Sequence, residues 1–371
     1  MNQQAQPRSQ SHQAVKRARA ETYVLTTLIA FAAAVIVTRV YLELTGYPQL
    51  GSGNLHIAHV LWGGLALYIA AFLPLTLLNR AALTWSAVFN GVGIGLFIDE
   101  VGKFITRDVD YFYPPAAPII YAFFLLSVLF YLFIRRPERH DARAELYRAV
   151  EELPALVDGV LLRAERQEIT DRLAYAQQSH EPRVAALATH LHDYVQAEQG
   201  RLAVGAPGVW QTLQRKVVRW GQKLGQARHR RLILWLIGFQ SFVALLLLAL
   251  LLTMLLAPNL MAQPLGQLMV SSHELRSVAD LPWFLVRLGL QLVIGLLVLF
   301  SFVLLWRGRE ETALKLAIFG LTLSLTTVVL LTFYLNQFGA ISTALFQFAL
   351  LLFLSAYRQW YLAGPSTTDN T

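Results

Sequence analysis

Two histidines and two carboxylates stand at the ends of membrane-length apolar runs in this chain. His56 and His59 open one run, and Asp99 and Glu100 close the next. Residues three apart share a helix face, so His56 and His59 present two imidazoles to one side. At this spacing one helix can offer two nitrogen ligands, with a carboxylate oxygen coming from a neighbouring helix. Such a set suits zinc, iron or manganese. The competing chemistry is an ion-pair network. Lys103 follows Asp99 by four residues and Glu100 by three, and Arg39 and Glu43 repeat the four-residue spacing of opposite charges in the preceding run. A carboxylate paired with lysine is less available to a metal. Adjacent Asp99 and Glu100 project about 100° apart on a helix, so only one of them joins a given site. The candidate cluster is therefore Arg39, Glu43, His56, His59, Asp99, Glu100 and Lys103. A mixed-charge network is its leading arrangement. The alternative is a divalent metal held by His56, His59, Asp99 and Glu100. Ionisable groups at membrane depth are costly, which directs attention to this cluster as a functional site.

The elements that position these residues are transmembrane helices. Hydrophobic residues form 56% of the 371-residue chain and charged residues only 15%, well below the share in a soluble domain. The apolar residues are gathered into runs long enough to cross a bilayer. Eight spans are predicted, at about 23–44, 55–78, 82–104, 117–134, 232–257, 281–306, 313–336 and 341–357. The last two are separated by a very short turn and form a tight hairpin. The fold class is all-α, a polytopic helical bundle with a small helical domain in its middle. Five segments follow: a basic tail (1–22), a first four-span module with the polar cluster (23–134), a helical domain (135–231), a second four-span module (232–358) and a tail (359–371).

The net charge of +8 comes largely from basic residues at the ends of apolar runs, which makes them topology signals and excludes a nucleic-acid partner. Lys16, Arg17, Arg19, Arg80, Arg135, Arg136, Arg228, Arg230, Arg231, Arg307 and Arg309 all fall on one side if the N-terminus is cytoplasmic. Both termini and the middle domain are then cytoplasmic, and His56, His59, Asp99 and Glu100 face outward across the cell membrane. The basic N-terminal stretch lacks a cleavable signal. Cysteine is absent, which excludes disulfides, thiolate metal sites and a cysteine nucleophile.

Residues 135–231 are rich in Ala, Leu, Glu, Arg and Gln and predict helices broken near Pro154, at 179–182 and at 200–208. Val184, Leu187, Leu191 and Tyr194 form one apolar stripe, and Val209, Leu213, Val217, Trp220 and Leu224 form another. The opposite face of the second carries Arg215, Lys216, Arg219 and Lys223. Over 209–231 this segment either lies on anionic inner-leaflet lipids or packs in the helical bundle. The domain has no phosphate-binding glycine loop, zinc-finger spacing or nucleophile elbow.

Small residues let membrane helices approach closely. Gly63 and Gly64 are expected to meet Gly91 and Gly95, making the second and third spans neighbours. In the second half Arg287 is expected to snorkel to the surface. Gln240, Gln291, Asn336 and Gln347 are its main uncharged polar residues. No copy of the histidine or acid motif occurs there, which argues against two equivalent transporter halves.

His56, Ile57, Ala58 and His59 are followed by Gly63 and Gly64 and by Gly91, Gly93 and Gly95. Then come Phe97, Ile98, Asp99, Glu100, Val101, Gly102, Lys103, Phe104, Ile105 and Thr106, and beyond them Asp108, Asp110, Tyr111, Phe112 and Pro114. Over roughly residues 39–121 this string resembles a family of uncharacterised bacterial multi-pass membrane proteins. The resemblance implies that the first four spans are the functional module and assigns no activity, substrate or cofactor. The functional expectation is a binding or sensing module at the outer face, coupled to the cytoplasmic helices, and not an enzyme. A transporter or channel for an ion or small solute is the second reading. A membrane metalloenzyme is the third, and needs a metal with an open position and a base beside it.

Overall fold

The computed structural model describes residues 14–46, 59–106, 113–136, 141–159, 161–197, 209–256 and 280–362. The described residues form helices and no strand. In order these are α1 (Ala20–Thr45), α2 (His59–Thr76), α3 (Arg80–Asp99), the short α4 (Val101–Ile105) and α5 (Ala116–Ile134). The middle of the chain forms α6 (Ala142–Val157), α7 (Arg163–Gln177) and α8 (Pro182–Ala197). The second half contains α9 (Val209–Leu256), α10 (Leu281–Trp306), α11 (Glu310–Thr326), α12 (Val328–Leu335) and α13 (Gln337–Tyr357). Eight stretches are long and apolar enough to cross a bilayer: α1, α2, α3, α5, Gly225–Leu250, α10, Glu310–Leu335 and Gln337–Leu362. The chain is a multi-pass, all-α membrane protein. Its apolar surface agrees: Leu61, Leu65, Tyr68, Phe72 and Leu75 form a continuous exposed stripe along α2, which water would not tolerate and lipid covers.

Several boundaries differ from the sequence reading. The third span is interrupted at Glu100, between α3 and α4. Pro154 lies inside α6, which continues to Val157. In α8 the buried positions are Val184, Ala188 and Val195, while Leu187 and Tyr194 are exposed, so the packed stripe is rotated toward small residues. Gly225, at φ 66° and ψ 152°, separates the basic first part of α9 from the span that follows. The side chains of Val209, Leu213, Val217, Trp220 and Leu224 lie outside the described residues, as does the 200–208 break.

The chain divides into two compact units. The first contains residues 1–97 and 127–212, the second 98–126 and 213–371. In the first unit glycines set the helix contacts. Gly93 packs on α2: a Cβ there would stand 2.8 Å from Leu67 Cγ and 2.9 Å from the Gly63 carbonyl oxygen. Gly91 and Gly95 face the other way and pack on α1, against Thr27, Ala30, Phe31 and Ala34. Ser86 donates to the Ala70 carbonyl (2.7 Å) and Thr27 to the Ala87 carbonyl (3.1 Å). The second and third spans are thus neighbours, but through Gly63 and Gly93. Gly91 and Gly95 serve α1, and a Cβ at Gly64 would meet nothing within 4 Å. Contacts rising together along α1 and α3 make that pair parallel, whereas α2 runs antiparallel to α3.

The middle helices α6, α7 and α8 share a core of Leu146, Ala149, Leu156, Ile169, Leu173, Ala176, Val184 and Ala188. Asp141 caps α6 by accepting from the Ala144 amide (3.3 Å).

In the second unit Ile233, Ile237, Ile294, Val298, Leu314, Leu321 and Leu354 form the main core. Tyr121, from the first part of α5, stacks on Phe333 and donates to the Leu325 carbonyl (2.9 Å). Asn336 alone separates α12 from α13 and caps α13 by accepting from the Gly339 amide (2.9 Å), which is the expected tight hairpin.

Candidate functional site

The arginines that close the ends of α1 and α3 build a charged joint. Arg19 precedes the first residue of α1, and Arg80 is the first residue of α3. Helix N-termini carry partial positive charge, so an arginine there is unfavourable without an anion nearby. Two carboxylates of the middle helices supply it. Glu152 of α6 lies 3.1 Å from Arg19 Nε and 3.0 Å from an Arg80 Nη. Glu165 of α7 pairs with Arg19 and with Arg80, the latter at 3.1 Å. Two guanidinium groups and two carboxylates therefore alternate in a closed ring. Glu152 and Glu165 are buried, while the arginines keep about a quarter of their side chains exposed (26% and 22%).

Glu165 also accepts from the Leu162 amide (3.1 Å) and so fixes the first turn of α7. Burial alone would raise its pKa. The hydrogen bonds from Arg19, Leu162 and Arg80 overcome this and hold the carboxyl down at about 2. Burial would likewise weaken the charge on Arg19, and Glu165 reverses that, so the guanidinium is held more firmly protonated than usual.

The segment before α1 strengthens the joint. Arg17 pairs with Glu151 at 2.8 Å, and Glu151 accepts from the Ala18 amide (3.1 Å). Lys16 donates to the carbonyls of Ile134 (3.0 Å) and Arg136 (3.1 Å), which places a cation at the negative end of α5. Arg148 donates to the Lys16 carbonyl (3.1 Å) and pairs with Glu145 at 2.8 Å. The middle helices are therefore fastened to the ends of the first, third and fourth spans by directed polar contacts.

The other ends of the same helices carry the cluster read from the sequence. Arg39 is buried on α1, with 5% of its surface exposed, and Glu43 is exposed on the last turn. His59 opens α2 and is half-buried; because α2 is antiparallel, it lies toward the end where α3 reaches Phe97. Asp99, the last residue of α3, and Glu100 are almost fully buried (0% and 1%). Both are buried despite being adjacent, because the helix ends between them. Glu100 pairs with Lys103 at 3.1 Å, the acid–lysine contact expected from the spacing. His56 lies outside the described residues. Among the described residues no three histidine or acidic side chains are grouped to hold a metal.

The sequence reading assigned Lys16, Arg17, Arg19 and Arg80 to topology alone and missed their acidic partners. One signal was available. Glu145, Arg148 and Glu152 fall at helical spacing beside the apolar stripe of α6, and charges on a buried face require partners. His229 was also missed: it is 1% exposed and sits among the rings of Phe353, Tyr357, Trp360 and Tyr361. Arg287 does not snorkel outward; it is buried in the second unit.

Comparison of the chain with protein-family models, curated proteins and solved structures gives no match.

Proposed function

We propose that this protein is a binding or sensing module of the cell membrane. Its ligand site is the polar cluster of Arg39, Glu43, His56, His59, Asp99, Glu100 and Lys103 on the extracytoplasmic face, and its output is the cytoplasmic helical domain. The charged joint carries this reading. Helix α1 has Arg39 and Glu43 toward one end and Arg19 at the other, and α3 has Asp99 at one end and Arg80 at the other. Gly91 and Gly95 lock these two parallel helices together, so they move as a pair. A change in charge or ligation at the outer cluster displaces that pair, and the Arg19–Glu165 and Arg80–Glu152 contacts pass the displacement to α6 and α7. A signal of this kind needs two alternative arrangements of one element and not a pore. The same outer residues suit a small polar or ionic ligand, or a divalent metal at His56 and His59, and the basic segment 209–231 suits anionic inner-leaflet lipids.

Hydrogen exchange on the purified full-length protein tests the coupling. Asp99→Asn removes one buried charge at the outer end. It should change the protection of α6 and α7 amides about fivefold, the lower end of the usual range for coupling between two sites. Unchanged protection in those helices would remove the basis for a sensing role.

A further inference from the structure

Near the start of the fifth span a recess of about 430 Å³ opens on the surface of the second unit. Leu234, Trp235, Gly238, Phe239 and Phe242 of α9 line it, with Phe302 of α10. Gly238 makes the room: a Cβ there would stand 3.2 Å from the Phe302 ring. The rings of Trp235, Phe239 and Phe242 are exposed around it, Trp235 by 78%. All six lining residues are apolar or glycine, so the recess takes hydrocarbon.

One end of the recess is basic. Arg231 precedes Gly238 by seven residues, two helical turns, so it shares that face about 10 Å away. Arg228 follows one turn further out, and both are exposed. Arg230 donates to the Leu305 carbonyl (3.2 Å), which sets this level of α9 beside the end of α10, where Trp306 is exposed. Tryptophan is enriched at the headgroup level of a bilayer. The acids that open α11 are engaged: Glu310 pairs with Arg230 and Glu311 with Lys315, each at 2.6 Å. A cationic rim above an apolar slot matches an amphiphile with an anionic head. A second copy of the chain fits less well, because packed membrane helices meet through small residues, and five of the six lining side chains are large.

We propose that this recess is a binding site for an anionic phospholipid, with its phosphate at Arg231 and one acyl chain laid along Gly238 between Trp235, Phe242 and Phe302. The site adds a chain-binding slot to the lipid contact suggested for residues 209–231, and it does not depend on the sensing role.

Native mass spectrometry of the full-length protein in detergent tests it with phosphatidylglycerol, phosphatidylcholine of the same chains, and glycerol phosphate. Phosphatidylglycerol should bind about fivefold more tightly than phosphatidylcholine, and glycerol phosphate should displace neither. Arg231→Gln should weaken phosphatidylglycerol about fivefold, the effect of one basic residue at the membrane surface, and leave phosphatidylcholine unchanged. Gly238→Leu fills the slot and should weaken both lipids at least fivefold. Trp235→Ala removes an exposed wall without disturbing the fold and should weaken both as well, which keeps the test open if Gly238→Leu does not fold. Equal binding of the two lipids, displacement by glycerol phosphate, or an unchanged affinity in Arg231→Gln or Trp235→Ala would each overturn the proposal. So would unchanged phosphatidylglycerol binding in folded Gly238→Leu, which would leave the lipid to the basic segment 209–231 alone. Disulfide crosslinking between two copies carrying Phe242→Cys would overturn it in favour of a dimer contact.

Discussion

Replacing Glu165 by glutamine keeps the shape of the side chain and removes the charge at the centre of the joint. Glu165 serves Arg19, Arg80 and the Leu162 amide at once. Its carboxyl lies at about 2 against an ordinary value of 4.5, which corresponds to roughly 3 kcal/mol at most. The arginines are 26% and 22% exposed, so solvent screens part of this, leaving roughly 2 kcal/mol. That should lower the protection of α7 amides roughly 30-fold in hydrogen exchange. The control is Glu168→Gln. Glu168 is 55% exposed and pairs with Arg172 one turn away, so the change should be under about twofold. The pH dependence has a definite sign. Because the folded carboxyl is held below its unfolded value, its contribution is complete above 4.5 and is lost as pH falls toward 2. The unaltered protein should lose protection in that window, and Glu165→Gln should lack that part of the loss. Protection of Glu165→Gln within about threefold of the parent at neutral pH would refute the reasoning.

Further outcomes follow from packing and charge. Gly93→Leu should force α2 from α3, and Gly95→Leu should force α1 from α3, each lowering thermal stability in detergent by about 1–3 kcal/mol or more, while Gly64→Ala should leave it unchanged; equal melting of all three would refute the assigned faces. If α6–α8 are cytoplasmic, as proposed from the lysine and arginine asymmetry, a cysteine introduced at Ser179 should react with a membrane-impermeant thiol reagent only after the cells are opened; labelling of intact cells would reverse the proposed topology.

The membrane spans were legible because their length is dictated by bilayer thickness, and runs such as that of α10 meet it without interruption. The breaks at Glu100 and Thr327 were less visible, since neither residue is itself a proline or glycine. The glycine contacts required the helix face of each residue. Gly91 and Gly95, four apart, share a face, whereas Gly93 points nearly opposite, so one run serves two neighbours. Lys103 was paired with an acid from local spacing alone. The charged joint was hidden for a different reason. Arg19 and Arg80 meet Glu152 and Glu165 across long sequence separations, and the positive-inside tendency already accounts for arginines at those positions. A residue that satisfies one rule conceals a second role. Arg287 shows the converse: a charge near a span end suggests snorkelling, and only the packed helices show that it faces a cavity.

The central claim is that the outer cluster and the middle helices are energetically coupled through the joint. A double-variant cycle measured by hydrogen exchange at α6 and α7 tests it most directly, using the parent, Asp99→Asn, Arg80→Gln and the pair. If the joint transmits the signal, Asp99→Asn should alter protection about fivefold in the parent and by clearly less once Arg80 is neutralised, since only the Arg19 contacts then remain. Equal effects of Asp99→Asn in both backgrounds, or none in either, would contradict the account.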